Sequence, residues 1–172
     1  MTSLPRRHLL SVIGAALLLP GCGFALRGAP KFAFETLRLQ GSETTPVASE
    51  LRRALEGGGV RVFSSALPAS PEGETGQVVL TVLSDQRERS VVGSTATGQV
   101  RELQLRTRFR FRLATPAGKQ LLDETELLLE RDISFTETAV LAKEAEEALL
   151  YRDMQSDIVQ QVMRRLAAVS AL

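Results

Sequence analysis

The sequence is poor in the residues that do most protein chemistry. Its 172 residues include one histidine, one cysteine, one tyrosine and no tryptophan. The histidine (His8) and the cysteine (Cys22) both lie near the start. Such a chain closes no internal disulfide and builds no zinc site from Cys and His ligands. Once its first residues are cut away, it also has no histidine for a Ser-His-Asp or Cys-His nucleophile pair. The glycine patterns GxGxxG and GxxxxGK[ST] that cradle phosphates are absent. The run Gly57-Gly58-Gly59 follows a helical pattern and reads as a helix stop and turn. Carboxylates are plentiful, but nothing marks a catalytic pair among them. No catalytic residue, metal or cofactor is expected. Charge of one sign is lacking too: 21 basic and 20 acidic side chains give a net +1. That balance excludes a strongly basic nucleic-acid module and an acidic solvating tail. The apolar run Leu9 to Leu19 (LLSVIGAALLL) is eleven residues long, short of the roughly 20 needed to span a bilayer.

What is present is ordinary globular usage, 44% hydrophobic and 24% charged, in a chain long enough to bury a full core. Arg6 and Arg7 precede the apolar run, which has the length of a secretory signal. The run ends in Leu19-Pro20-Gly21-Cys22. This resembles the bacterial lipobox, with an aliphatic residue three before the cysteine and a small one immediately before it. Pro20 is a departure from the usual pattern. The resemblance implies that residues 1–21 are removed and that Cys22 carries the acyl chains. At about 0.8 kcal/mol per buried CH₂, such chains hold a protein on a membrane without a spanning helix. By the same likeness Gly23, standing where Asp would retain the protein, favours the outer membrane. The paired arginines suit general or twin-arginine export. The mature chain is then one domain, 22–172, with 19 basic and 20 acidic side chains and a net charge of −1.

Glu35–Gln40 alternates as a short strand, and Thr45-Pro46 reads as an N-cap with proline at the first helical position. Val47, Leu51, Ala54 and Leu55 recur at helical spacing, and Val60–Phe63 forms a second strand. A parallel crossover is the simplest connection between the two. Ser64–Gly76 reads as a loop. Gln77–Leu83 suits a covered strand, while Ser84–Ser90 is polar on both faces and reads as a strand running beyond the core. In Leu103–Leu113 the residues Leu103, Leu105, Phe109, Phe111 and Leu113 take one face. Arg106, Arg108, Arg110 and Arg112 take the other, about 6.7 Å apart. Thr115–Lys119, with Pro116 and Gly118, predicts a three-residue hairpin loop. That loop sets Leu105 opposite Leu129, Phe109 opposite Thr125, Leu113 opposite Leu121, Arg110 opposite Glu124 and Arg108 opposite Glu126. A last helix, roughly Ala142–Val169, buries Tyr151, Met154, Ile158, Val162 and Leu166 and turns Arg152, Gln155 and Arg164 outward. The order β-α-β-β-β-β-α predicts an α+β two-layer sandwich, two helices on a mixed four- to five-stranded sheet.

Three segments together resemble the LptE family of lipopolysaccharide-assembly lipoproteins. The first is Gly21-Cys22-Gly23-Phe24-Ala25-Leu26-Arg27-Gly28. The second is Gly98-Gln99 followed by Glu102-Leu103, where the family usually has an aromatic after the Glu. The third runs from Leu141-Ala142-Lys143-Glu144 through Leu150-Tyr151-Arg152-Asp153-Met154 to Asp157 and Arg164-Arg165-Leu166. The resemblance implies a non-enzymatic plug of the LptD outer-membrane β-barrel that assists barrel assembly and contacts lipopolysaccharide. It points to Lys143 as a lipopolysaccharide contact. The family's other basic contact precedes the Gly-Gln strand. Here that stretch is Ser94-Thr95-Ala96-Thr97, without a base, so Arg101, Arg87 and Arg89 are the substitutes at hand. Phosphate and sugar acid call for such donors beside apolar surface. Arg106, Arg108 and Arg110 suit lipopolysaccharide, the barrel wall, or a ladder with Glu124, Glu126 and Glu130 on a wet face. A generic outer-membrane lipoprotein scaffolding another envelope complex stays open as the alternative.

Overall fold

Residues 30–64, 77–136 and 139–170 are described by the computed structural model. The expected leader, Cys22, the segment 21–28 and most of the stretch 64–76 expected as a loop lie outside them. Strand β1, Thr36–Gly41, buries Leu37 and Leu39. Helix α1, Pro46–Gly57, begins after Thr45 as expected and buries Val47, Ala48, Leu51 and Leu55. It stops in a Schellman pattern: the N–H of Gly59 donates to Glu56 O and that of Val60 to Leu55 O, both at 3.0 Å. Gly59 takes φ +87° to make this turn, so the glycine run is a helix cap. Strand β2, Arg61–Ser64, returns parallel to β1.

The remaining strands are long: β3, Val78–Ser94; β4, Val100–Ala114; β5, Gln120–Ser134. The sheet order is β2-β1-β3-β4-β5, with β3 parallel to β1 and antiparallel to β4. Helix α2, Val140–Ala167, packs beside α1 on the same sheet face. The expected α+β sandwich and element order are what is found, with five strands. Both long hairpins turn on the same device. Thr95–Gln99 and Thr115–Lys119 each close through backbone bonds of 2.8 and 2.9 Å, with Gly98 and Gly118 at positive φ.

Burial falls into two clusters. The larger holds Leu37, Leu51, Leu80, Phe109, Phe111, Ile158 and Leu166 among others, under both helices. The smaller holds Leu103, Leu105, Ile133, Tyr151 and Met154 under the first half of α2. Thr107, fully buried, stands on β4 between Leu105 and Phe109, where one cluster gives way to the other.

The β4–β5 register departs from the loop-derived one. Ala114 lies opposite Gln120 as the loop requires, but Leu113 lies opposite Leu122 and Phe111 opposite Thr125. Two irregularities therefore shift all later pairs by two residues. Leu105 faces Arg131 rather than Leu129, and Phe109 faces Leu127 rather than Thr125. An even shift keeps the side chains from Thr125 onward on their predicted faces, while the one-residue step at Leu113 exchanges Leu121 for Leu122. It also sets Leu127 against Phe109 and Ile133 against Leu103, apolar pairs that the unshifted register lacks.

An irregularity in the β3–β4 ladder decides where β3 points its charges. The ladder skips a residue between Val82, opposite Phe111, and Ser84, opposite Arg110. Beyond it Asp85, Arg87, Arg89 and Val91 oppose Phe109, Thr107, Leu105 and Leu103 and share the helix-covered face. The stretch read as polar on both faces thus lies half under α2.

Candidate functional site

The basic residues singled out in the sequence fall into three places. Arg106, Arg108 and Arg110 lie on the face away from the helices. Arg106 Nε is 2.7 Å from Glu130, Arg108 Nη1 is 3.9 Å from Glu126, and Arg110 Nη2 is 3.0 Å from Glu124. Arg108 also approaches Glu88 of β3 at 4.0 Å. Of these ion pairs only Arg106–Glu130 joins directly opposed residues; Arg110 stands opposite Glu126 and Arg108 opposite Leu128, so the expected Arg108–Glu126 and Arg110–Glu124 pairs form as diagonals across the shifted register.

Arg87 is exposed and reaches across to α2. Its Nη2 donates to Gln155 Oε1 at 2.6 Å, and its guanidinium carbon lies 5.1 Å from the centroid of Tyr151. Gln155 in turn donates to Pro46 O at 3.1 Å and to the Glu50 carboxylate. Gln155 is therefore a link between α2, α1 and β3, and not the outward residue of the helical pattern. The phenol of Tyr151 donates to Glu88 O at 2.7 Å. Burial, reinforced by Glu147, pushes that phenol above its usual 10.0, against the opposing pull of Arg87 and Arg89.

Arg89, Arg101 and Lys143 lie toward the far end of the sheet, where β3 and β4 meet the 94–100 turn and β5 ends beside α2. Arg89 Nε is 3.4 Å from Glu147 of α2. Lys143, one helical turn before Glu147, places Nζ 3.1 Å from Ser134 Oγ and 2.9 Å from Glu146. Its side chain is only 19% exposed, so it is clamped between the end of β5 and its own helix rather than free in solvent. The carbonyl of Arg101 accepts the N–H of Phe135 at 2.8 Å. Its side chain is exposed, with no carboxylate in ion-pair range among the described residues.

At this end a cavity of about 290 Å³ is lined by Arg89, Ser90, Val91, Val100, Leu103 and Phe135. Val91 and Val92 are 57% and 49% exposed, and Leu141 on the first turn of α2 is 82% exposed. Periodicity did not single out Val91, Val92 or Leu141. The one signal was an apolar Val91-Val92 pair standing between a polar stretch and a turn. Among the described residues no Asp, Glu, His or Cys cluster fits a metal, and no helix is long and apolar enough to cross a membrane.

No curated protein matches the chain significantly. Among solved structures it is similar to lipoprotein B of Nitrosomonas europaea, described as uncharacterized. That protein is 30% identical, with 85% of this chain and 91% of that one covered and a TM-score of 0.69. Rare lipoprotein B of Shewanella oneidensis shares the fold at 24% identity, covering 77% and 94%, with a TM-score of 0.61. So does a minor lipoprotein of Acinetobacter baumannii at 21%, covering 80% and 94%, with a TM-score of 0.59. Residues 34–166, spanning every strand and nearly all of α2, match the family described as LptE, lipopolysaccharide-assembly. The chain belongs to the LptE family, a non-enzymatic family of lipopolysaccharide assembly.

Proposed function

We propose that the protein is an outer-membrane lipoprotein that plugs the LptD β-barrel, helps it assemble, and contacts lipopolysaccharide on its way to the outer leaflet. Family membership supports the pathway. The observation that carries the lipid contact is the placing of Lys143, Arg89 and Arg101 at one end of the sheet, beside exposed apolar side chains. Phosphates meet cations there, while acyl chains meet carbon. The ladder of Arg106, Arg108 and Arg110 is a weaker candidate, because each of its three arginines is matched to a glutamate, whereas Arg101 has no carboxylate in ion-pair range among the described residues. Cys22 holds the protein to the membrane through acyl chains, without a spanning helix.

Charge reversal tests the contact. Lys143→Glu weakens lipopolysaccharide binding about tenfold, the worth of one charge-assisted contact, and leaves barrel association intact. Unchanged affinity removes Lys143 from the site. Depletion of the protein tests the plug: an LptD barrel that assembles normally, and fails to copurify with the full-length chain, ends that reading. Cys22→Ser releases the chain from membranes in cells lacking the barrel; retention there contradicts the anchor.

A further inference from the structure

We infer that the cavity at the far end of the sheet is a subsite for one acyl chain of an anionic lipid, with Arg89 on its rim and Arg101 next in the chain to Val100 of its wall. The inference rests on the lipopolysaccharide reading and deepens it, by saying where a chain of the glycolipid goes. Three observations carry it.

The first is the lining. Val91, Val100, Leu103 and Phe135 present carbon, and Arg89 and Ser90 supply the polar edge. An open cleft whose walls are mostly carbon gains when methylenes displace water from those walls. Each CH₂ buried adds about fourfold in affinity. The second is the unfinished core around it. The smaller cluster, Leu103 to Met154, is extended only by half-buried Val100, Leu129, Phe135 and Leu150. Val91 sits opposite Leu103 in the ladder and still has 57% of its surface in water. The third is charge. Arg101 adjoins Val100 in the wall, and its carbonyl holds Phe135. Its guanidinium has no carboxylate partner among the described residues. Arg89 is shared with Glu147 and remains half exposed. An anionic headgroup there therefore gains one guanidinium with no carboxylate partner among the described residues and a second that is partly available.

The full-length chain in phosphatidylcholine vesicles tests this directly. The probe is a lysophosphatidate with a diazirine at the end of its acyl chain. After illumination, mass spectrometry locates the adducts. They are expected on Val100, Leu103 and Phe135, and unlabelled lipid A competes them away. Val91→Trp, which closes the mouth from an exposed position, lowers this labelling at least tenfold. Leu128→Trp, on the opposite face, leaves it unchanged. Arg101→Glu, or a neutral monoacylglycerol carrying the same tail, also lowers it at least tenfold. Adducts spread equally over Leu128, Leu141 and Leu149 overturn the subsite. So does indifference to Val91→Trp or to headgroup charge. Labelling that appears only in the Cys22→Ser chain gives the cavity to the protein's own anchor and overturns it as well. The two readings fail separately. Lipopolysaccharide binding that depends on Lys143 but not on Val91 removes the subsite alone. Headgroup-selective labelling that lipid A cannot compete removes the lipopolysaccharide reading alone.

Discussion

The carboxylate of Asp85, on β3, accepts the backbone N–H of Val47 in the first turn of α1 at 2.9 Å, across 38 residues of sequence. Thr45 occupies the N-cap position but makes no cap bond with its side chain; its hydroxyl donates instead to Ser42 O at 2.8 Å. A strand residue thus supplies the acceptor that a helix start needs, and its negative charge complements the helix dipole. The bulge between Val82 and Ser84 makes this possible by turning Asp85 toward the helices. Asp85→Ala is expected to cost about 1 kcal/mol, within the range for lost N-caps. Asp85→Asn costs less, and Thr45→Ala costs less than Asp85→Ala. Urea unfolding of the three variants checks the order, and Thr45→Ala as the most damaging change would refute it.

Tyr151 offers a pH readout with no background, since it is the only tyrosine and tryptophan is absent. Its phenol is buried against Glu88 O and Glu147, and it titrates above its usual 10.0. A folded value above the unfolded one means that the neutral phenol stabilises the fold fully below pH 10. That contribution is lost as pH rises through the folded value. Tyrosinate absorbance at alkaline pH should therefore have its midpoint above that of the urea-unfolded chain. Tyr151→Phe removes the bond to Glu88 O for about 1 kcal/mol and abolishes this part of the alkaline loss. Coincident midpoints in folded and unfolded protein would rule the linkage out.

Gly41 and Gly118 share a φ of +88° but differ in their surroundings. A Cβ on Gly118 meets nothing within 4 Å, whereas one on Gly41 lies 2.2 Å from the carbonyl oxygen of Val82. Gly118→Ala is strained by backbone conformation alone, and Gly118→Val is expected to cost about 1 kcal/mol or more. Gly41→Ala adds a backbone clash where β1 meets β3 and should cost clearly more than Gly118→Ala. Melting temperatures of the two alanine variants settle it; equal losses would mean that β1 and β3 separate at little cost.

Periodicity carried far in this chain where one face is apolar. The alternation of Leu103 to Leu113, the helical stripe of Tyr151 to Leu166 and the turn around Gly118 all stand as the residues imply. What periodicity missed has one physical root. Bulges change which residues pair without changing which residue types are present, and neither the Val82/Ser84 bulge nor the two irregularities near Leu113 carries a glycine. Asp85, Arg87 and Arg89 could therefore not be assigned to the helix face, nor Gln155 to their network. Lys143 was legible only through family likeness. Its clamping by Ser134 and Glu146 follows from the way α2 starts beside the end of β5, which no local pattern encodes.

The Arg106–Glu130 pair separates a structural ladder from a contact surface. The two side chains stand directly opposite at 2.7 Å, and both are more than a third exposed. Solvent screening then holds their coupling to about 0.2–1 kcal/mol. A double-mutant cycle with Arg106→Ala and Glu130→Ala should return a value in that range, shrinking when salt is raised from 0.05 to about 0.5 M as the Debye length contracts. The charge-swapped chain, Arg106→Glu with Glu130→Arg, restores the pair with its polarity reversed and should regain most of the stability lost by either single reversal. Because the swap preserves the ladder but inverts the local field, it also reads what the face meets outside the chain. Association with the barrel and with lipopolysaccharide should survive it if this face is only a solvated ladder. Loss of either, at unchanged stability, would make the arginine face part of the interface.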